Sequence, residues 1–209
     1  ISKILMSIFA EYGLLIIEPY LLRPYSKEIF KKSIEDNNLI TDSITNSNTL
    51  LKNSNYSPTY FCPDNSTHLF YVEKGLRYKI QASENLYKIS ESSNLFNKEE
   101  LCNLIESQPG NFSSDAMLRP IVQDTIFPNI CYVGGPGEIS YYASFKEAFN
   151  IFSLDIPILY PRFFCTLLNN KANKVLDKLE LSNPFELLLK NVEKDNSIKA
   201  DIENKKVII

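Results

Sequence analysis

Two short stretches carry residue types that bind and turn over small polar molecules. The first is Arg119-Pro120-Ile121-Val122-Gln123-Asp124. On a helix opening at Pro120, Ile121, Val122, Thr125 and Ile126 fall on one side, and Gln123 and Asp124 on the other. That polar side is either a solvated face or the wall of a pocket. As a wall, Gln123 would hydrogen-bond amides or hydroxyls, Asp124 would hold an ammonium or a sugar hydroxyl, and Arg119 would grip a carboxylate with two parallel N–H donors. The second stretch is Gly134-Gly135-Pro136-Gly137-Glu138. Glycines let a backbone approach a ligand closely, and a helix start offers free N–H groups and the positive end of its dipole. Both suit a carboxylate or a phosphate. The alternative is a tight strand-to-helix turn with Pro136 at the first helical position and Glu138 facing the dipole. The pattern is neither GxGxxG nor a P-loop. Tyr132, Tyr141 and Tyr142 cluster around it, as core aromatics with satisfied hydroxyls or as pocket donors.

The remaining reactive types read more plainly. His68 is the only histidine. No carboxylate or cysteine that would orient it is evident in the sequence, so a structural or surface role is expected over a general base. Cys62, Cys102, Cys131 and Cys165 form no CxxC, and one histidine does not complete a Cys/His metal set. Buried free thiols are expected. Lys27, Lys31 and Lys32 read as a solvated helix face.

The elements that must position these residues follow from pattern. Residues 13–19 are a continuous apolar run ending at Glu18-Pro19, as in a buried parallel strand. Pro24 opens a helix to about Asn37. Residues 41–57, rich in Asn and Ser, read as a loop or weak helix. Short β-like runs follow at 59–62, 68–73, 76–81 and 86–89, with a hairpin turn at Glu73-Lys74-Gly75. Asn97 caps a helix to about Glu106, with Glu100 three residues on. Ser113 starts a short helix that breaks near Arg119, because the residue before a proline is pushed out of the α region. A helix from Pro120 ends before Pro128, and 129–133 is a strand. The glycine turn then leads into a helix to about Asn150, 156–160 is a second strand, and 165–168 a further short one. The tail from Lys171 is helical, with Leu176, Leu179, Leu187 and Leu188 suited to helix packing. A strand–helix–strand unit of this length implies a parallel crossover. Ligands of open parallel sheets bind beyond the carboxyl ends of the strands, which here would gather Glu18, the glycine turn and Arg162.

The chain has 209 residues, 44% of them hydrophobic, enough to bury a sizeable core. A net charge of -3 does not suggest nucleic acid or an anionic membrane as the main partner, because phosphate backbones demand clustered Lys and Arg. No apolar run reaches the roughly 20 residues of a membrane span. The opening residues lack a secretory signal, and both ends look internal to a longer chain.

The run Leu118-Arg119-Pro120-Ile121-Val122-Gln123-Asp124-Thr125, then Pro128, then Tyr132-Val133-Gly134-Gly135-Pro136-Gly137-Glu138-Ile139-Ser140-Tyr141, closely resembles the BshC family of cysteine-adding enzymes of bacillithiol biosynthesis. Gly13-Leu14-Leu15-Ile16-Ile17-Glu18-Pro19, Leu69-Phe70-Tyr71 with Arg77, and Pro161-Arg162 with Thr166 occur in the family's order. The resemblance implies an α/β fold: a partial Rossmann-like parallel-sheet core with an inserted antiparallel β segment, then the start of a coiled coil that dimerises. Core parts are expected at 1–40 and 97–170, the insertion at 41–96 and the coiled-coil start at 171–209. It implies joining L-cysteine to glucosaminyl malate in the cytoplasm, and a site for ATP or ADP. The sequence departs from the family at Glu18 (usually Asp), Ser144 (commonly Gln) and Phe164 (commonly Ser), and it lacks the family's earlier Thr-Gly-Gln-Gln turn.

The expected pocket is then lined by Arg119, Gln123, Asp124, Gly134, Gly135, Glu138, Tyr141 and Arg162. Arg119 and Arg162 are candidate carboxylate clamps, and Asp124 or Glu138 a candidate catalytic base. The alternatives are another ATP-using α/β ligase and a non-catalytic ligand-binding module.

Overall fold

In the computed structural model, residues 1–63, 65–91, 95–182 and 184 are described. They fall into two units, Ile1–Arg162 and Phe163–Ile209.

The first unit begins with α1 (Ser2–Phe9) and α2 (Pro19–Leu22). Residues 14–18 between them are extended but not a strand, contrary to expectation. An extended apolar run becomes a strand only by pairing, and none of the described strands pairs with it. Next come α3 (Lys27–Glu35) and α4 (Asn37–Asn53). Of the loop and the weak helix that the Asn- and Ser-rich stretch allows, the helix is the one that forms, 17 residues long. Ile40 and Ile44, four apart, are fully buried, and the next turn buries Ser47 and Asn48 on the same face. The hydroxyls of Ser43, Thr45 and Thr49 donate back to carbonyls one turn earlier, which satisfies them, while the buried face supplies the stability of the helix.

A five-stranded antiparallel sheet follows, built from β1 (Ser66–Glu73), β2 (Leu76–Ser83), β3 (Leu86–Ile89), β4 (Leu95–Asn97) and β5 (Phe112–Ser114), in the order β4-β3-β2-β1-β5. The predicted hairpin forms. Glu73 pairs with Leu76, and Lys74 and Gly75 take φ of 50° and 80°, as a type I′ turn requires. Residues 59–62 are not a strand. α5 (Lys98–Ser107) carries the predicted reciprocal cap between Asn97 and Glu100. The helix expected from Ser113 is absent. Phe112 is fully buried edge-on against Tyr71, which holds 112–114 in register with β1. Serines have too little helix preference to resist that pairing.

α6 (Leu118–Ile126) starts two residues before Pro120. A proline in the first turn removes no intrahelical bond, because the first amides have no intrahelical partner. Beyond it, β6 (Cys131–Gly134) and β7 (Ile158–Pro161) pair in parallel, from Cys131↔Ile158 to Gly134↔Pro161. The crossover is two helices rather than one, α7 (Pro136–Tyr142) and α8 (Lys146–Ile151). The break lets Ser144 and Phe145 enter the core, where the Ser144 hydroxyl donates to Asn48 Oδ1 at 2.7 Å. That core joins α3, α4, α5, α6 and α8 to the sheet through residues such as Phe30, Ile44, Leu101, Phe112, Ile121 and Phe149.

The second unit holds α9 (Asn170–Lys178), capped by Asn169 Oδ1, which accepts from the Ala172 amide. Residues 165–168 are not a strand, and Leu187 and Leu188 lie outside the described residues. Expected to be buried, the cysteines are not: Cys62 and Cys102 are half-buried, Cys131 and Cys165 exposed. No helix among the described residues is long and apolar enough to cross a membrane.

Candidate functional site

α6 is the element that carries the predicted polar residues, and Asp115 fixes where it starts. Its Oδ1 accepts from the amides of Met117 and Leu118, both at 2.9 Å. Arg119, Val122 and Gln123, one turn apart, then line a cavity of about 640 Å³. Arg23 and Arg77 reach the same cavity, and Ile17 and Leu22 give it an apolar side. No Asp or Glu side chain lines it among the described residues.

Each arginine is held by neutral groups. Arg23 Nη1 donates to the Gly110 carbonyl at 2.9 Å. Arg77 donates to Ser113 Oγ and the Ser114 carbonyl, and its guanidinium lies 4.1 Å above the Phe70 ring. Arg119 Nη2 donates to the Tyr141 hydroxyl at 3.3 Å. Burial, and then the Arg77 charge, lower the pKa of Arg23. Arg23 and Arg77 repel one another across the cavity, whereas at Arg119 burial opposes the charge but the Tyr132 and Tyr141 hydroxyls outweigh it and raise the pKa. An anion relieves the repulsion.

Asp124 is 6% exposed, not on a solvent face, whereas Thr125, expected on the apolar side, is exposed. Its Oδ1 accepts from Asn129 Nδ2, and its Oδ2 is buried with no partner. Burial raises the carboxyl pKa, and the bond from Asn129 only partly offsets this. A buried, half-satisfied carboxylate costs stability.

In the glycine turn, Glu138 occupies the position a ligand anion would take. Its Oε2 accepts from the Gly135 amide at 2.8 Å and its Oε1 from the Tyr132 hydroxyl at 2.9 Å. The Gly135 bond, then Tyr132, then the charges of Arg162 and Arg119 hold its pKa low. The glycines are steric requirements. A Cβ at Gly134 would lie 2.8 Å from Tyr132 Cε1, and one at Gly135 2.9 Å from Arg162 Nη2. The Arg162 guanidinium therefore rests on the turn, and its amide donates to the Gly134 carbonyl. The rings of Tyr141 and Tyr142 stack beside it at 5.7 Å, with Tyr142 buried.

Of the predicted lining residues, Arg119 and Gln123 line the arginine cavity, and Asp124, Gly134, Gly135, Glu138, Tyr141 and Arg162 do not. Arg119 is joined to Tyr141 and Tyr132, and Tyr132 in turn to Glu138 of the glycine turn. Glu18 is not brought in. It is exposed, while Ile17 and Pro19 on either side line the cavity, as alternation along an extended chain requires. Sequence reasoning also missed Arg23 and Arg77 as cavity residues. It missed the partners of His68 as well: Asp115 Oδ2 lies 2.9 Å from Nδ1 and Cys62 Sγ 3.5 Å from Nε2. His68 and Asp115 are 47 residues apart, and the pairing of β1 with β5 brings them together. The one local signal was an Asp just before a helix.

Comparison with known proteins agrees with this architecture. The model of the family described as "Bacillithiol biosynthesis BshC, N-terminal Rossmann-like domain" matches residues 1–163. Relatives named "Putative cysteine ligase BshC" occur in Natranaerobius thermophilus (32% identical, covering 86% of this chain and 34% of the relative) and Lysinibacillus sphaericus (31%, 87% and 34%). A third, from Staphylococcus aureus strain JH9, is 30% identical over 94% of this chain and 36% of the relative. The chain therefore spans about a third of the length of these curated relatives. With the match running over most of its length and through both the site helix and the glycine turn, the chain belongs to the BshC family, in its Rossmann-like domain.

Proposed function

We propose that this chain supplies one wall of the active site of a bacillithiol-pathway ligase that joins L-cysteine to glucosaminyl malate. The observation that carries this reading is the 640 Å³ cavity with Arg23, Arg77 and Arg119 on its lining and no Asp or Glu side chain on it among the described residues. Cysteine and the malate group both bring carboxylates, and a planar guanidinium grips a carboxylate with two N–H donors. Gln123 offers an amide to sugar hydroxyls. Asp124, buried behind the same helix, is the candidate to take a proton from the attacking sugar amine, because burial raises its carboxyl pKa and makes it a stronger base. Glu138 is the weaker candidate, since both its oxygens are engaged within the turn.

Forming an amide from a free carboxylate is uphill in water, so the reaction calls for an activated carboxyl. ATP would supply that activation. The glycine turn does not fit its phosphates, because the Glu138 carboxylate already fills the position and would repel them. The roles assigned to the arginines do not depend on a nucleotide. A cytoplasmic location and a homodimer formed through a coiled coil complete the proposal for the whole enzyme.

Two measurements test it. Deleting the full gene should abolish bacillithiol and accumulate glucosaminyl malate in a thiol and metabolite profile. In the full-length enzyme, Arg119→Ala should lower kcat/KM roughly ten- to a hundredfold, the worth of one charge-assisted clamp at about 1.5–3 kcal/mol, with the fold intact by circular dichroism. Unchanged cysteine addition by a folded variant would remove Arg119 from the site.

A further inference from the structure

Away from the arginine cavity, three side chains form a constellation that the ligase reading does not use. A bulge in β1 between Ser66 and Phe70 puts His68 at φ 61°, a conformation unfavourable to a residue with a Cβ. Thr67, His68 and Leu69 are consecutively buried there, so the strand's alternation is broken and the His68 ring turns inward. Asp115 holds that ring by Nδ1 at 2.9 Å. The carboxylate is itself fixed on both oxygens, Oδ2 also accepting from the Tyr60 hydroxyl and Oδ1 from two backbone amides. With Nδ1 donating to Asp115, Nε2 is left to accept a proton, and Cys62 Sγ stands 3.5 Å away. The Thr41 hydroxyl, 3.6 Å from Sγ, is placed to stabilise negative charge on sulfur.

Beside the His68 ring opens a cavity of about 280 Å³, lined by Phe61, Pro63, His68, Lys79 and Asp115; Cys62, half-buried, lies behind that lining rather than on it. Thiol, imidazole and carboxylate in that order form an activated nucleophile.

We propose that Cys62, His68 and Asp115 form a reactive-thiol site at which Cys62 exchanges with small disulfides. The Cys62 proton passes to His68 Nε2, and Sγ attacks one sulfur of the disulfide. The S–S bond breaks, half of the small molecule stays on Cys62 as a mixed disulfide, and the other half leaves as a thiol carrying the proton from Nε2. Cys62 is oxidised and the departing sulfur reduced, so no further oxidant is required. Lys79 in the cavity favours disulfides that carry carboxylates, such as cystine.

The other three cysteines are internal controls. Cys131 and Cys165 are more exposed than Cys62, and Cys102 is equally half-buried, with a thiol pKa raised by burial. If access alone governs reactivity, Cys131 and Cys165 react first. The full chain is incubated with cystine from pH 6 to 9, quenched in acid, and each cysteine's modification is followed by peptide mass. The expected result is that Cys62 reacts first, about tenfold or more ahead of Cys102, and that His68→Gln slows Cys62 alone. Cys131 and Cys165 reacting first, or a Cys62 rate indifferent to His68→Gln, would overturn the proposal. Should His68→Gln fail to fold, the wild-type pH profile decides. Among the described residues, the ionisable groups around the ring are Cys62, Asp115, Tyr60 and Lys79. A Cys62 rate that holds nearly level from pH 8 to 6 supports the site, and a fall of about tenfold per pH unit, as for an ordinary thiol, overturns it.

Discussion

At the scale of single residues, Asp124 and His68 are charges in costly places, and each makes a measurable claim. For Asp124 the folded-state pKa is raised, chiefly by burial. The folded chain therefore prefers the protonated acid, and stability falls as pH rises through that folded pKa. Asp124→Asn removes the charge and keeps the oxygen that Asn129 uses. It should raise the melting temperature at pH 7, a stabilisation on the order of 1 kcal/mol, while cysteine addition by the full-length enzyme drops. A lower melting temperature would show that the carboxylate has a partner at Oδ2 after all. His68 runs the other way. Burial opposes its charge, but the hydrogen bonds to Asp115 and Cys62, and then their charges, push its pKa up to about 9. Its contribution to stability is complete below the unfolded value of about 6.5 and is lost as pH rises from there through 9. Denaturation midpoints measured from pH 6 to 10 should decline across that window. Asp115→Asn should flatten the decline while keeping the helix cap, since Asn caps as well as Asp.

At the scale of elements, the glycine turn separates two effects that are often merged. Gly134→Ala drives a Cβ to 2.8 Å from the Tyr132 ring, which cannot swing away because Tyr142 packs on it at 4.6 Å. A loss of about 1–3 kcal/mol is expected in chemical denaturation. At Gly135 the clash is with the end of the flexible Arg162 side chain, at 2.9 Å. Gly135→Ala should cost less stability yet displace the guanidinium, so that activity falls more than stability does. Equal stability losses at the two positions would contradict this geometry. Much at this scale was legible in advance. The hairpin at Lys74-Gly75, the cap at Asn97 and the strand–turn–helix around Gly134 are written in residues only a few positions apart. α4 was legible only in part, because its Asn- and Ser-rich stretch suits a loop as well as a weak helix until the bonds of Asn48 to the Tyr60 carbonyl and to Ser144 are seen.

At the scale of the whole molecule, two features lack partners among the described residues. Residues 14–18 are extended without a described partner strand, and the β6–β7 pair leaves Val133, Ile158 and Tyr160 59%, 66% and 62% exposed. Parallel sheets are ordinarily covered on both faces. Since the chain spans about a third of its relatives' length, the remaining length is the proposed source of the missing partners. Amides of 14–18 and of β6 should exchange hydrogen rapidly in the 209-residue chain and slowly in the full-length enzyme. Equal protection in both would show that this chain completes its own sheet.

The sequence by itself determined the α/β class, the parallel strand pair, the helix bearing Arg119, Gln123 and Asp124, and the family. These rest on local period, caps, turns and a dense motif, all of which act over a few residues. Only the tertiary structure decided that Arg23 and Arg77 join Arg119 around one cavity, that Asp124 faces inward, and that His68 stands between Cys62 and Asp115. Those placements depend on the β1 bulge and the pairing of β1 with β5, which join residues far apart in sequence. Register and burial of that kind are settled by packing the whole core at once, so no local pattern announces them.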